Sequence, residues 1–317
     1  MDQKNLNILA KGAVLTAVGM VFSKLLTYIF RASVARYAGP EAYGVFSLGL
    51  TVLGIVGTLS ILAMNQAIKK YVSDYREEGD FEKVRGAVLS VAQMTIPLSI
   101  LLSIGMFLSA EFIALTFFDS EALIPVLKVL ALVPPFANLS KISISTTLAY
   151  KKIRYHVFTN QIFQNLVQVI VVVPMLLIGY GAMAAAGAWL LGYILSGILA
   201  FYFMERKIGP ILFSDSDAEL QRRKLLKYSY PLIFSGMIGT VLGWADTAFL
   251  GYFMQEASVG IYNAALPTAA LIMIPYQLFS NLALPTLTEA NTKGKTELSD
   301  LLKTLTRWTF YVCFPAL

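Results

Sequence analysis

Eight stretches of this chain are each long enough and apolar enough to cross a bilayer, and that succession leaves few folds open. A span needs roughly 20 mostly apolar residues. The sequence meets this at about residues 12–32, 42–66, 87–110, 123–148, 156–178, 182–204, 229–253 and 258–284, with a ninth run starting near 308. In hydrocarbon each backbone polar group must find a partner within the protein, so consecutive spans of this length are helices. The expected fold is an all-α polytopic membrane protein. Of the 317 residues 57% are hydrophobic and 14% charged, a balance that excludes a soluble domain.

Several chemistries are excluded by what is scarce. There is one cysteine, Cys313, and one histidine, His156, so neither a disulfide framework within the chain nor a multi-histidine metal site can form. No P-loop and no nucleophile elbow occurs. Gly179-Tyr180-Gly181 resembles a channel filter or a dinucleotide turn only superficially, because it falls in a tight turn between two spans. The expectation is a protein that is not an enzyme and that needs no metal and no cofactor. The first apolar run continues for a full membrane width without a small-residue cleavage site, so no cleavable signal peptide is expected.

The net charge of +6 could suggest a nucleic-acid partner, but the cations sit between spans. With the N-terminus inside, segments 1–11, 67–86, 149–155, 205–228 and 285–307 hold 20 of the 25 Lys and Arg residues. That asymmetry places the N-terminus in the cytoplasm of a multi-pass plasma-membrane protein and removes the case for nucleic acid.

The polar segment 205–228, with Ser214-Asp215-Ser216-Asp217 and then Arg222-Arg223-Lys224, comes after six spans and reads as a cytoplasmic linker. It divides an N-terminal six-helix lobe, 1–204, from the start of a second lobe, 229–317. A shift of 216 residues lays Gly44-Val45-Phe46 on Gly260-Ile261-Tyr262, Asn65 on Asn281 and Ala67 on Ala283. Six spans separate the copies, so both enter the membrane the same way round. The expectation is two parallel repeats about an axis along the membrane normal, with a cargo site between them. If the second lobe mirrors the first, the ninth span and about three more would be needed to complete it.

Charges inside spans mark candidate sites, because a cation in hydrocarbon is costly and usually faces a protein interior or a wet cavity. Lys24 and Arg31 lie seven residues apart on the first span, within about 20° of one another. Tyr28, one turn from each, shares that face. A positive stripe on the first membrane helix points to an anionic cargo. Lys141 lies in the fourth span, about 14 Å from its cytoplasmic end, too deep for easy snorkelling. Lys128, near the outer end, can snorkel. Asp246 ends a face of Gly236, Gly239 and Gly243, and is a candidate for a coupling proton or sodium ion or for an ion pair. The glycines read as close helix packing. Asn65, Gln161 and Asn165 are candidate polar cavity residues, with packing as the alternative; Gln161, Asn165 and Gln168 share one face of the fifth span.

The stretch Arg31 to Gly44, the run Ala35-Arg36-Tyr37-Ala38-Gly39-Pro40-Glu41-Ala42-Tyr43-Gly44-Val45-Phe46-Ser47-Leu48, and Ala245-Asp246-Thr247-Ala248-Phe249-Leu250-Gly251-Tyr252 resemble the polysaccharide-biosynthesis flippases of the multidrug/oligosaccharidyl-lipid/polysaccharide exporter superfamily. The resemblance implies two six-helix lobes around a central cavity that opens alternately to each side. It implies as cargo a lipid-linked oligosaccharide with an anionic phosphate or pyrophosphate, contacted by Lys24, Arg31 and Lys141. Membrane lipids, a coupling proton or sodium ion and glycan-assembly enzymes would be the partners. A cation-coupled drug or metabolite antiporter of the same superfamily, a peptidoglycan-precursor flippase and a membrane scaffold for glycan assembly are the other readings.

Overall fold

The structure is a computed structural model that describes residues 3–211 and 217–270, and residues 299, 301–304, 306–307 and 310–311 beyond them. Its described segments are helical. In chain order they are α1 (Gln3–Tyr37), α2 (Gly39–Ile61), α3 (Met64–Glu78), α4 (Phe81–Leu108), α5 (Ala110–Phe118), α6 (Leu123–Leu130), α7 (Val133–Ala149), α8 (Ile153–His156), a π-helical stretch Val157–Phe163, α9 (Gln164–Leu177), α10 (Gly181–Lys207), α11 (Arg222–Phe253) and α12 (Glu256–Ala270). The chain falls into two compact units, Met1–Ile261 and Tyr262–Leu317. Helices α1 to α11 lie in the first unit.

Seven helices or helix pairs among the described residues are long and apolar enough to span a membrane, and they match the first seven expected spans. The eighth expected span begins in α12 and then leaves the described residues, as does most of the ninth. The first span is longer than its apolar run. α1 continues to Tyr37, so Arg36 ends a helix instead of occupying a loop. The chain then reverses through Ala38 and Gly39, whose φ of 86° a residue with a β-carbon rarely adopts.

The second span is broken. Leu62 and Ala63 both have left-handed backbones, φ 50° and 52°, and separate α2 from α3. The fourth span breaks as well, between α6 and α7, where Pro134 stands in the first turn of α7. There the proline's missing N–H is no loss.

Small side chains explain why the bundle closes on α10. Its residues Ala184, Ala185, Ala186, Ala188, Gly192 and Gly197 are buried, and the helix packs against α7 and α9. A β-carbon on Gly197 would stand 2.9 Å from the Phe136 carbonyl oxygen, so α7 and α10 meet nearly backbone to backbone. Around this contact lie two apolar clusters. One is built on Phe30, Phe46 and Trp189, whose ring centroids are 5.7–5.8 Å apart. The other holds Met64, Ile68, Val72, Val88 and Leu225.

α11 runs antiparallel along α2 and α3. Gly251 lies against Leu48, Trp244 against Gly54, Thr240 is hydrogen-bonded to Thr58 at 2.8 Å, and Tyr228 meets Tyr71 edge-on at 5.6 Å. Of the glycine face expected to serve close packing, Gly236 lies in ordinary contact with Thr58. Among the described residues nothing lies within 4 Å of a β-carbon placed on Gly239 or Gly243. The tight approaches of α11 are made by Trp244 and Gly251, one step around the helix.

Candidate functional site

The first span divides its polar residues between two directions. Ser23 and Thr27, one turn apart, face α9; Phe30 and Val34 enter the apolar core; Lys24 and Tyr28 are exposed. Arg31 is half-buried and lies beside the buried Tyr43 of α2. The shared face of Lys24, Tyr28 and Arg31 is therefore present on the helix. Arg31 stands beside the neighbouring span, and Lys24 and Tyr28 have exposed side chains.

The amide cluster of the fifth span has a structural job the sequence did not disclose. Val157–Phe163 is π-helical, and a π-helix leaves carbonyls that the regular ladder would have used. Asn165 supplies the donors: its Nδ2 lies 2.9 Å from the Gln161 carbonyl oxygen and 3.2 Å from that of Asn160. The same Nδ2 reaches Ser23 Oγ at 3.1 Å, and Thr27 donates to Asn165 Oδ1 at 3.3 Å. Asn165 thus joins α1 to α9 beside Lys24. Next to it Gly19 of α1 sits directly against the Gln161 side chain, whose Oε1 is buried with no hydrogen-bond partner among the described residues. His156 Nδ1, Thr159 Oγ1 and Gln168 Nε2 are buried and unpartnered in the same sense. The run Asn160-Gln161-Ile162-Phe163-Gln164-Asn165 inside an apolar span was the signal that could have predicted the irregular helix.

Lys141 on α7 is half-buried and makes no hydrogen bond or ion pair with any described residue. Its neighbour Ser140 donates to Asn160 Oδ1 at 3.3 Å, which places this part of α7 against the π-helical stretch. Asn65 is half-buried near the start of α3, just past the break at Leu62 and Ala63. Asp246 is half-buried on α11 and accepts the Thr247 backbone N–H at 2.7 Å. The structure therefore brings Gln161 and Asn165 to the first span beside Lys24. Lys141 approaches the same region through Ser140, and Asp246 stands on a different helix with its own contacts.

A second polar cluster, which the sequence reading missed, lies where α11 begins. Lys224 donates to the Tyr75 hydroxyl at 2.8 Å, Tyr75 donates to Gln221 Oε1, and Lys224 lies over the rings of Tyr71 and Tyr75 at 5.0 and 5.1 Å. Lys70 lies 4.7 Å over Tyr228. These contacts hold the end of the 205–228 segment to α3. Other cations cover exposed helix ends: Arg76 donates to the last carbonyl of α7, Ala149, at 2.6 Å, and Lys152 to that of α10, Lys207. A cation at a helix C-terminus meets the negative end of the dipole and an orphan acceptor at once. Asp80 caps α4, accepting the Lys83 N–H at 3.0 Å, and pairs with the Lys83 ammonium at 2.7 Å. The Lys83 side chain is the main cause that holds this carboxyl below its usual range.

Seven candidate spans among the described residues, packed through glycine and alanine, define an all-helical membrane protein. Similarity to solved structures agrees. One is an outward-facing multidrug resistance MATE family transporter of the MOP superfamily, 14% identical with a TM-score of 0.57 over 96% of this chain and 80% of the other. Another is the MATE multidrug transporter DinF-BH, 12% identical, TM-score 0.61, over 96% and 69%. A third is a MOP superfamily transporter from Pyrococcus furiosus, 14% identical, TM-score 0.55, over 96% and 80%. At this identity the likeness is one of fold. The chain belongs to the family described as polysaccharide biosynthesis protein, whose model matches residues 9–290. Among curated proteins it is 27% identical over 125 residues to stage V sporulation protein B of Bacillus subtilis (strain 168); the match spans 39% of this chain and 24% of that protein.

Proposed function

We propose that the protein is a flippase that moves a polyprenyl-phosphate-linked oligosaccharide from the cytoplasmic to the outer leaflet by alternating access. The observation that carries this reading is the first span, where exposed Lys24 and Tyr28 stand two turns and one turn from Arg31 on one face. A phosphate crossing hydrocarbon loses its hydration, and only fixed opposite charge and hydrogen bonds offset that loss. Lys24 and Arg31 supply the charge, Tyr28 and the Asn165–Gln161 amides line the approach, and Lys141 adds a third cation. Membership of the polysaccharide biosynthesis family supports a glycan-bearing cargo. The sequence halves 1–204 and 229 onward would be the two lobes, with 205–228 as their cytoplasmic linker, the N-terminus inside, and Asp246 as the group that couples to a proton or sodium ion.

The test is movement of a fluorescent polyprenyl-diphosphate oligosaccharide across liposomes that contain the full-length protein. Loss of movement in Lys24→Ala and Arg31→Ala, with reconstitution intact, is the expected result. Full activity in both would remove the site from the first span. Exchange of a cationic drug for protons by the same liposomes would favour the antiporter reading instead.

A further inference from the structure

The cations where α11 begins are held by neutral partners. Lys224 donates to the Tyr75 hydroxyl and lies over the rings of Tyr71 and Tyr75. Arg222 donates to Gln93 Oε1 of α4, and Lys70 lies over the rings of Tyr71 and Tyr228. Among the described residues no carboxylate forms an ion pair with Lys70, Arg222, Arg223 or Lys224, whereas nearby Lys83 has Asp80. An ion pair cancels its own field, and a solvated cation swings freely. Lys70, Arg222 and Lys224 do neither: they are fixed in place with their charge uncompensated.

These charges border a pocket. It is open, has a volume of about 340 Å³, and is lined by Lys83, Gln221, Arg222, Arg223 and Lys224, with Glu219 as the carboxylate on its wall. With Lys83 taken by Asp80, three cations still stand against one carboxylate. Arg223 makes no hydrogen bond or ion pair with any described residue. Arg222 also heads a ridge of α11 that continues through Leu226, Tyr230 and Phe234 at intervals of four. Those three side chains are exposed, and the rings of Tyr230 and Phe234 meet at 5.2 Å. A positive pocket and an apolar ridge thus adjoin on one helix.

We propose that this pocket holds the phosphate headgroup of an anionic phospholipid, whose acyl chains lie along the Leu226–Tyr230–Phe234 ridge. Basic pockets at the ends of membrane helices suit such headgroups, and each basic residue near the surface adds to the attraction. Cations that only set topology would do so equally well with free side chains; they need neither a pocket nor neutral partners that fix them. A lipid there bridges α4, through Lys83, and α11, through Arg222 and Arg223. On the orientation proposed above it belongs to the inner leaflet. The site itself does not rest on the cargo reading.

The test is lipid binding to purified full-length protein, read by native mass spectrometry as phosphatidylglycerol or phosphatidylcholine is titrated in. Phosphatidylglycerol should bind the parent at least about tenfold more tightly than Arg222→Gln/Arg223→Gln, and phosphatidylcholine should bind the two alike. Arg206→Gln/Lys207→Gln, which removes two exposed cations at the end of α10, should bind phosphatidylglycerol as the parent does. Equal affinity of the parent and Arg222→Gln/Arg223→Gln would overturn the site. So would an equal loss in the α10 variant, which would reduce the effect to overall charge. Glu219→Gln keeps the cations and removes the carboxylate, so it should tighten binding several-fold; unchanged or weaker binding would overturn the site whether or not the arginine variant folds. Displacement of the lipid by inorganic phosphate at equal concentration would make this a site for a free anion and overturn the phospholipid. Tighter binding of polyprenyl phosphate there would assign the pocket to the cargo and overturn it as well. No arm reads transport, so specific phosphatidylglycerol binding stands even if the oligosaccharide does not move.

Discussion

Asn165 Nδ2 lies 3.1 Å from Ser23 Oγ, and through that bond the irregular turn of the fifth span is joined to the first span one residue from Lys24. The same amide satisfies two carbonyls of the π-helical stretch, so three functions fall on one side chain. Replacing Asn165 by leucine leaves those carbonyls unpaired. At about 1–3 kcal/mol for an unsatisfied buried group, a lowered melting temperature in detergent is expected. Asn165→Gln should recover less than half of the loss, because the longer amide misses Ser23. Unchanged melting of Asn165→Leu would show that the irregular turn does not depend on this amide.

Arg31 and Tyr43 give a way to separate charge from anchoring. Tyr43→Phe removes the hydroxyl beside the guanidinium but keeps the positive charge. Binding of an anionic headgroup should weaken by less than about tenfold in Tyr43→Phe and by more in Arg31→Ala, as measured by titration with polyprenyl diphosphate. Equal losses would assign Arg31 to holding α2 instead of the cargo.

Tyr75 and Lys224 tie the start of α11 to α3. Tyr75→Phe and Lys224→Met should each cost about 1 kcal/mol, a typical net hydrogen bond. The double variant should cost less than the sum of the two, since each removes the same bond. Thermal unfolding of the four proteins of the cycle tests this. Strict additivity would mean that the 2.8 Å bond contributes nothing.

The 217–221 segment should be sensitive to one glycine. A β-carbon on Gly86 of α4 would overlap the Glu219 carbonyl oxygen and stand 2.9 Å from the Glu219 nitrogen. Gly86→Val is therefore expected to lift the 217–221 segment off α4 and to speed limited trypsin cleavage at Arg222 and Arg223 several-fold. An unaltered cleavage rate would show that the segment is not held there in solution.

Asp80 predicts a pH dependence. Its carboxyl is held below the ordinary value by the Lys83 side chain and the Lys83 N–H. A carboxyl whose folded value is depressed contributes stability that is present above the unfolded value, near 3.8, and is lost as pH falls through the folded value. The difference in melting temperature between the parent protein and Asp80→Asn should thus be constant from neutral pH to about pH 5 and shrink below about pH 4. A difference that grows on acidification would contradict the capping role.

The apolar runs made the first seven spans readable, because length and hydropathy alone decide what can cross a bilayer. The breaks inside spans were less so. Leu62 and Ala63 are ordinary helix formers, and no local signal marks their left-handed backbones. The face shared by Lys24, Tyr28 and Arg31 came from spacing, whereas the place of Arg31 beside Tyr43 needed the fold of α1 onto α2. Asn165 and Gln161 were legible as a polar face; their place against the first span was not, because it depends on which helix α9 meets. The glycines tell the same story. Gly236, Gly239 and Gly243 form the more regular pattern, yet the closest backbone approaches among the described residues belong to Gly44, Gly86 and Gly260.

The central claim is that the cations of the first span hold an anionic headgroup. The most direct measurement is the affinity of purified full-length protein for polyprenyl diphosphate, compared between the parent and the Lys24→Gln/Arg31→Gln variant at fixed ionic strength. Each charge-assisted contact is worth about 1.5–3 kcal/mol, or about tenfold or more in affinity. The double variant should therefore bind at least about a hundredfold more weakly, with its helical content unchanged. Equal affinity in the two proteins would contradict the account.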